Sequence, residues 1–265
     1  MGIESLASAT VHALALGVPQ PPQSPHAVSV SYPTWQSVIS WGKREKWVMQ
    51  KMQTGYPRFF IHRIIQKLSR DVLTRLQTTD DGTSCMIFPT QSGAARCLAE
   101  LKASDPDDSV LEIARFALPS SLRPSGSDDA YWTTFYAVLY PTSLSRDAAA
   151  FWRDTGDGIT SRHAEYCHAR LDYLESESAN ISLRTQPLKS NMMDAGPSLT
   201  PIRSAFAEKR VIESFIAKLA TSEQAGQPCV SFRDVFLYSK GMSAVSAVAR
   251  ALASLSDKSD AVAYG

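Results

Sequence analysis

An α/β fold is predicted for this chain on three observations. Segments of strand and helix character alternate through its middle. Its composition, 44% hydrophobic and 20% charged over 265 residues, is that of a globular protein with one large core or two small ones. Pro141, Gly156 and Gly241 punctuate the periodic segments where turns are needed.

The elements follow in order. Residues 1–30 are rich in Ala, Ser and Pro, and the prolines of GVPQPPQSPH exclude a regular helix or an inner strand, so this stretch reads as an extended arm. AVSVSYPTW offers a short alternating stretch closed by Pro33. KREKWVMQKM reads as a basic helix with Trp47 and Val48 as its core contacts. From Arg58 to Gln77, Ile61, Ile64, Ile65, Leu68, Val72 and Leu76 recur at three and four, with Arg63, Lys67, Arg70 and Arg75 opposite, which predicts an amphipathic helix.

SCMIFP then predicts a strand and QSGAARCLAELKAS a helix. LRPSGSDD is loop by composition, YWTTFYAVLYP a strand, and SRDAAAFWRDTG a helix ended by Gly156. RHAEYCHARLDYLESE reads as a further helix, and ESANISLRTQPLKSNMMDAGPSLT as a long connection. TPIRSAFAEKRVIESFIAKLA restarts helix with Thr200 as N-cap and Pro201 at the first helical position. VSFRDVFLYSKGMSAVSAVARALASL predicts a strand, a glycine turn and a helix. No internal repeat is found.

Several function classes are excluded on bulk grounds. Lys and Arg number 27 against 26 for Asp and Glu, so no whole-chain field favours a polyanion, and nucleic acid is not an expected partner. No apolar run approaches the roughly 20 residues that span a bilayer, and the start lacks the basic region of a secretory signal. A cytoplasmic chain with no membrane partner is expected. Leu6 stands where a myristoylation signal wants Ser or Thr. Cys85, Cys97, Cys167 and Cys229 show no metal-ligand spacing and read as packed or inert thiols. His163 and His168 are five apart, the wrong spacing for one helix face. Asp154 and Asp157 sit in a glycine-rich turn without the ligand series of a calcium loop. No metal site is expected.

The glycine turn of FLYSKGMSAV is the one candidate site. At a helix N-terminus the first amides lack intrahelical partners and face a favourable dipole, so a phosphate can sit there. A glycine lets the backbone approach it closely. Gly241 and Met242 would donate amides, with Ser239 or Ser243 adding a hydroxyl.

HAVSVSYPTW, MQTGYPRFFIH, AAAFWRDTGDGITSRHAEYCH and DVFLYSKGMSA resemble, in this order, segments of the fungal cystathionine gamma-synthase branch of the Cys/Met-metabolism enzymes that use pyridoxal phosphate. The resemblance covers about residues 18 to 255. It implies a family-specific α/β front module over 31–155, then over 156–265 the incomplete beginning of a fold-type I pyridoxal-phosphate-dependent transferase large domain. It implies pyridoxal phosphate as cofactor, its phosphate held by Gly241 and Met242, to which the turn's own chemistry adds the Ser239 hydroxyl. It also implies Arg162, from ITSRHAE, as a phosphate contact donated by a neighbouring subunit, although Thr160 stands where the family has tyrosine. Lys240 departs from the small residue of the family and either adds charge to a phosphate site or points into solvent.

The family's Schiff-base lysine and the acidic partner of the pyridine nitrogen lie well downstream of this turn. The sequence ends 24 residues beyond Gly241, and Lys258 is the only lysine there. No catalytic residue and no covalent cofactor attachment are therefore expected in this chain. Without later strands, DVFLYS would leave a sheet edge and an apolar helix face uncovered, unless the last helix docks on the front module. Two functions follow. The resemblance implies the front part of a gamma-replacement enzyme joining an activated homoserine ester to cysteine in transsulfuration and methionine biosynthesis, inactive alone. The alternative is a non-catalytic interaction or regulatory chain, with a homo-oligomer or a full-length relative as partner.

Overall fold

A computed structural model describes residues 14–78, 82–105, 111–122, 132–178, 185–189, 205–224, 226–227 and 229–255. The LRPSGSDD loop beyond Leu122, most of the long connection, the proposed Thr200–Pro201 helix start and Lys258 lie outside them. The chain divides into two compact units, Met1–Arg63 and Ile64–Gly265.

The first unit is built around Val48, Met52 and Phe60, all buried, with Leu16, Val30, Tyr32, Trp41 and Met49 packed on them. Strands β1 (Pro19–Gln20) and β2 (Ser29–Val30) pair antiparallel. Helix α1 (Trp35–Gly42) starts at a capping box in which the Ser37 amide donates to Thr34 Oγ1 at 3.1 Å and the Thr34 amide to Ser37 Oγ at 3.3 Å. Helix α2 (Lys46–Met49) follows. Apart from these two-residue strands, residues 14–30 have no regular element, yet Leu16 and Val30 pack on this core, so the stretch is not a free extended arm. Gly17 has φ 85°, and a Cβ there would collide with the Lys51 carbonyl. Val48 is a core contact as anticipated, whereas Trp47 is exposed and its indole donates to Glu45 at 2.7 Å. An indole carries a polar N–H, and a partner at the surface satisfies it without burial.

The second unit opens with α3 (Arg63–Arg75), which buries Ile65, Leu68 and Val72 on the anticipated stripe. It continues through β3 (Thr83–Phe88), α4 (Gln91–Ser104), β4 (Glu112–Ala117), β5 (Phe135–Pro141), α5 (Ser145–Thr155), α6 (Ser161–His168) and β6 (Glu175–Ser178). Helices and strands are mixed, as the α/β expectation requires. The four strands form one sheet, order β3-β5-β4-β6, in which every adjacent pair is antiparallel. β3 and β4 run parallel with β5 inserted between them, a split βαβ arrangement.

Two strands were not anticipated. EIARFA places Glu112 at a buried position, where its carboxylate accepts a 2.6 Å bond from Ser178 Oγ, so a charge masks the apolar pattern of β4. ESES, read as a helix end, instead becomes β6. It takes up the open edge of β4, and Arg115 faces Glu177 across that pair at 3.5 Å. Phe116 and Phe135, fully buried and stacked at 4.8 Å, centre the core on the sheet face that also bears Cys85, whose thiol donates to Ser69 O of α3 at 3.3 Å; α4 and α5 pack on the opposite face, against Phe88.

Arg75 closes the far end of the unit. Its guanidinium donates to the carbonyls of Leu171, Leu174 and, at 3.0 Å, Gln186. Burial lowers its pKa, with Asp172 opposing. Replacing Arg75 with Met is expected to cost about 2–4 kcal/mol, because carbonyls bonded to the guanidinium lose their donor. Urea denaturation measures this, and a loss below about 0.5 kcal/mol, the ordinary surface value, would count against the clamp.

Helix α7 (Phe206–Ala220) packs on a 3-10 turn at Phe232–Asp234, and α8 (Gly241–Leu255) packs on α5. The strand expected in DVFLYS does not form. Val235 has extended dihedrals, φ −103° and ψ 122°, but a strand exists only through the ladder with a neighbour, and no described strand lies beside it. Among the described residues the uncovered sheet edge is therefore absent, and α8 packs on α5, within 31–155, as the alternative expectation has it, while Phe236 before it and Val245, Val248 and Leu252 on it remain exposed.

Candidate functional site

The region around Gly241 is assembled from α5, the loop after it and the first turn of α8. Helix α5 ends where Gly156 adopts φ 67°, a left-handed C-terminal conformation, and its amide donates to Trp152 O at 3.1 Å. The following loop is fixed from three sides. Asp157 accepts from Arg96 Nε at 3.0 Å and Nη2 at 2.8 Å, tying the loop to α4. The Ile159 amide donates to Ile87 O at 3.0 Å, tying it to β3. Thr160 caps α6 by accepting from the His163 amide at 3.2 Å.

The first turn of α8 rests on this loop. Ser243 Oγ donates to Gly156 O at 2.8 Å, and the Lys240 ammonium donates to Gly158 O. A Cβ on Gly156 would lie 2.8 Å from Ser243 N and 2.9 Å from Met242 Cβ. Lys240 Nζ also lies 5.7 Å from the centre of the Trp152 ring. Burial lowers its pKa to about 8, with Asp157 opposing.

Gly241 is exposed, and an added Cβ would meet nothing within 4 Å. Neither crowding nor a left-handed backbone requires glycine there, so the space in front of it is open. The first helical bond at this end runs from Ala244 N to Lys240 O at 3.3 Å. The Gly241 and Met242 amides have no protein acceptor among the described residues.

The predicted residues are therefore distributed as follows. Gly241, Met242 and Ser239 lie on one exposed turn. Ser243 is committed to Gly156, and Lys240 neither enters solvent nor reaches forward over the turn but folds back on Gly158. Arg162 is exposed on the first turn of α6, and no hydrogen bond or ion pair among the described residues joins it to the Gly241 turn. Sequence reasoning missed the seating of Lys240 and Ser243 on Gly156 and Gly158. The spacing of two glycines around Asp157 is the available signal, and by itself it specifies only a turn.

Two histidines and three cysteines outside this turn are tied into the fold. His163 is buried and donates Nε2–H to Trp132 O at 2.7 Å. His168 pairs with Asp71 at 2.7 Å. Cys85, Cys97 and Cys167 are buried free thiols whose pKa burial raises. No cluster of three His, Cys, Asp or Glu suited to a metal occurs among the described residues, and no described helix is long and apolar enough to cross a membrane.

Burial lowers the pKa of His163, against the opposing bond to Trp132 O. The unfolded chain therefore binds this proton more readily. Stability is expected to fall as pH drops below about 6.5, by at most about 1.4 kcal/mol per pH unit from this group. His163→Gln, which retains an N–H donor, should flatten that acid limb in urea titrations at pH 5 to 7. An unchanged slope would assign it to other groups.

Comparison with known proteins adds the family. Residues 64–160 match the model of the fungal trans-sulfuration enzyme N-terminal domain. This chain carries that domain. The match runs from α3 to the N-cap of α6, so the trans-sulfuration domain contains Trp152, Gly156, Asp157 and Gly158, while the Gly241 turn lies beyond it. The chain is 39% identical to the cystathionine gamma-synthase-like protein ankD of Aspergillus thermomutatus over 264 residues, 100% of this chain and 46% of that one. It is 38% identical to a cystathionine gamma-synthase of Neurospora crassa over 160 residues, 58% of this chain and 26% of that one. It is 30% identical to the alanine racemase ungC of Aspergillus violaceofuscus over 260 residues, 91% of this chain and 43% of that one. The chain thus corresponds to the N-terminal part of these relatives and spans less than half of their length. No solved structure matches.

Proposed function

We propose that this chain is the N-terminal part of a pyridoxal-phosphate-dependent enzyme of the cystathionine gamma-synthase type, joining an activated homoserine ester to cysteine by gamma-replacement. The observation that carries it is the pair of amides, Gly241 and Met242, at the start of α8, without a protein acceptor among the described residues, beside the open space in front of Gly241 and seated on the trans-sulfuration domain. That donor set fits a phosphate monoester, which needs N–H donors and a favourable helix dipole.

Gly241 and Met242 would bind the phosphate through their amides, with the exposed Ser239 hydroxyl as a third donor. Arg162 would add charge from the exposed start of α6, contributed in the family pattern to a neighbouring copy. When bound, the cofactor supplies an electron sink for the substrate. The lysine that attaches it covalently is assigned to residues other than these 265, and the chain alone is expected to be inactive. A cytoplasmic setting and a partner that is a second copy or a full-length relative belong to this reading.

The apolar residues exposed on α7 and on α8, including Phe215, Leu219, Val248 and Leu252, favour the second reading: a non-catalytic chain that pairs with a full-length relative. Sequencing the complete transcript separates the two. A frame continuing past Gly265 into a lysine-bearing cofactor segment supports the enzyme; a stop codon after Gly265 supports the pairing chain. Borohydride treatment of the 265-residue chain with pyridoxal phosphate should trap no cofactor at a single defined lysine, and such a product at high occupancy would overturn the assignment of that lysine elsewhere.

A further inference from the structure

We infer that Lys240 and Ser243 are positioning residues, a two-point latch through which the trans-sulfuration domain sets the position of the Gly241–Met242 amides. This rests on the proposed role of those amides as phosphate donors and adds how they are held in place. It also gives the N-terminal domain a role of its own, as the seat on which the turn rests.

Three independent features support the latch. The Ser243 hydroxyl and the Lys240 ammonium each donate to a carbonyl of the same short loop, at Gly156 and Gly158, on either side of Asp157. That loop is rigidly supported, by Arg96 on Asp157, by β3 through Ile87 O, and by Trp152, whose indole fills the space beside Gly158 so closely that a Cβ there would overlap it. The two points bracket Gly241 and Met242 in sequence, one on each side. A helix start whose flanking residues are both anchored cannot slide along or rotate away from its support, and a shift of about 1 Å is enough to lose a good phosphate hydrogen bond.

The chemistry of Lys240 suits holding rather than ligation. Its ammonium is committed to Gly158 O and the face of Trp152, with Asp157 as the charge that opposes the effect of burial and Arg96 already paired to that carboxylate. A lysine folded back in this way leaves the space in front of Gly241 open.

The test uses the whole 265-residue chain, isotope-labelled for NMR, with inorganic phosphate as probe. In the wild type, the Lys240 side-chain resonance, assigned by its loss in Lys240→Met, is expected to titrate well below ordinary lysines, near the value of about 8 set by burial. Titration with the ordinary lysines overturns the latch. Phosphate is expected to shift the Gly241 and Met242 amides, with affinity weakened about fivefold by Lys240→Met and by Ser243→Ala, the equivalent of one lost hydrogen bond. Lys240→Arg, which keeps charge and donor, should recover most of the loss.

Ser243→Ala removes no charge, which separates positioning from simple attraction. Weakening by Lys240→Met alone would show Lys240 acting as a charge and overturn the latch. If phosphate fails to shift these amides in the wild type while Lys240 titrates low and either variant displaces the Gly241 and Met242 amide signals, the latch stands and the phosphate role fails.

Discussion

Gly156→Ala is expected to destabilise the second unit by about 2–4 kcal/mol and to release α8 from α5. Two costs combine. Alanine is strained at the φ of 67° that Gly156 adopts, and its Cβ would press on Ser243 N at 2.8 Å and Met242 Cβ at 2.9 Å. The obstructing atoms are backbone and the root of a side chain, so a rotamer change cannot relieve them. Hydrogen exchange should show the change in residues 241–255 first, because α8 meets the rest of its unit through its N-terminal turn on α5, while β3, β4 and β5 retain protection. Undiminished protection of α8 would mean that the helix is held by contacts other than Gly156. Gly82→Ala serves as the control, since a Cβ there meets nothing within 4 Å.

Phe116→Ala is expected to cost about 3–5 kcal/mol, the range for removing a fully buried aromatic ring from a core that cannot collapse around the gap. Phe116 is 0% exposed and stacks on Phe135 with ring planes 5° apart. It stands at the β4–β5 pairing, where Phe116 and Phe135 are register partners, so the lost ring weakens the junction of two neighbouring strands. Phe116→Leu retains most of the volume and should lose a smaller part of that stability. Equilibrium urea unfolding followed by circular dichroism decides it; a cost of less than about 1 kcal/mol would place the core elsewhere.

Much of the fold was legible wherever the apolar pattern is unbroken by charge. The stripe of Ile65, Leu68 and Val72 announced α3, the run at 85–88 announced β3, and Gly156 announced the end of α5. In each case local pattern and tertiary environment agree. β4 and β6 were illegible for a shared reason. EIARFA carries a carboxylate at a buried position and ESES has no apolar residue at all, so their strand state depends on neighbours: β4 pairs with β5 along its length, and β6 pairs on β4, where Ser178 satisfies Glu112 and Glu177 faces Arg115. Neither segment holds that information alone. DVFLYS shows the reverse failure, since strand propensity without a described partner strand yields no ladder.

At the candidate site, the order of residues alone nominates the Gly241 and Met242 amides with Ser239 or Ser243 as an anion cup, because helix-start chemistry is local: four amides without partners and a dipole follow from any strand-like approach to a glycine and a helix. The resemblance carried by TGYPRFFIH and TGDGITSRHAEYC likewise resides in contiguous residues, and the match over 64–160 is of the same kind. What only the tertiary structure decided is where Lys240 points and what holds the turn. Lys240 and Gly158 are 82 positions apart, and a donor on a flexible side chain chooses its acceptor by proximity in space, which closure of the chain creates and no local pattern encodes.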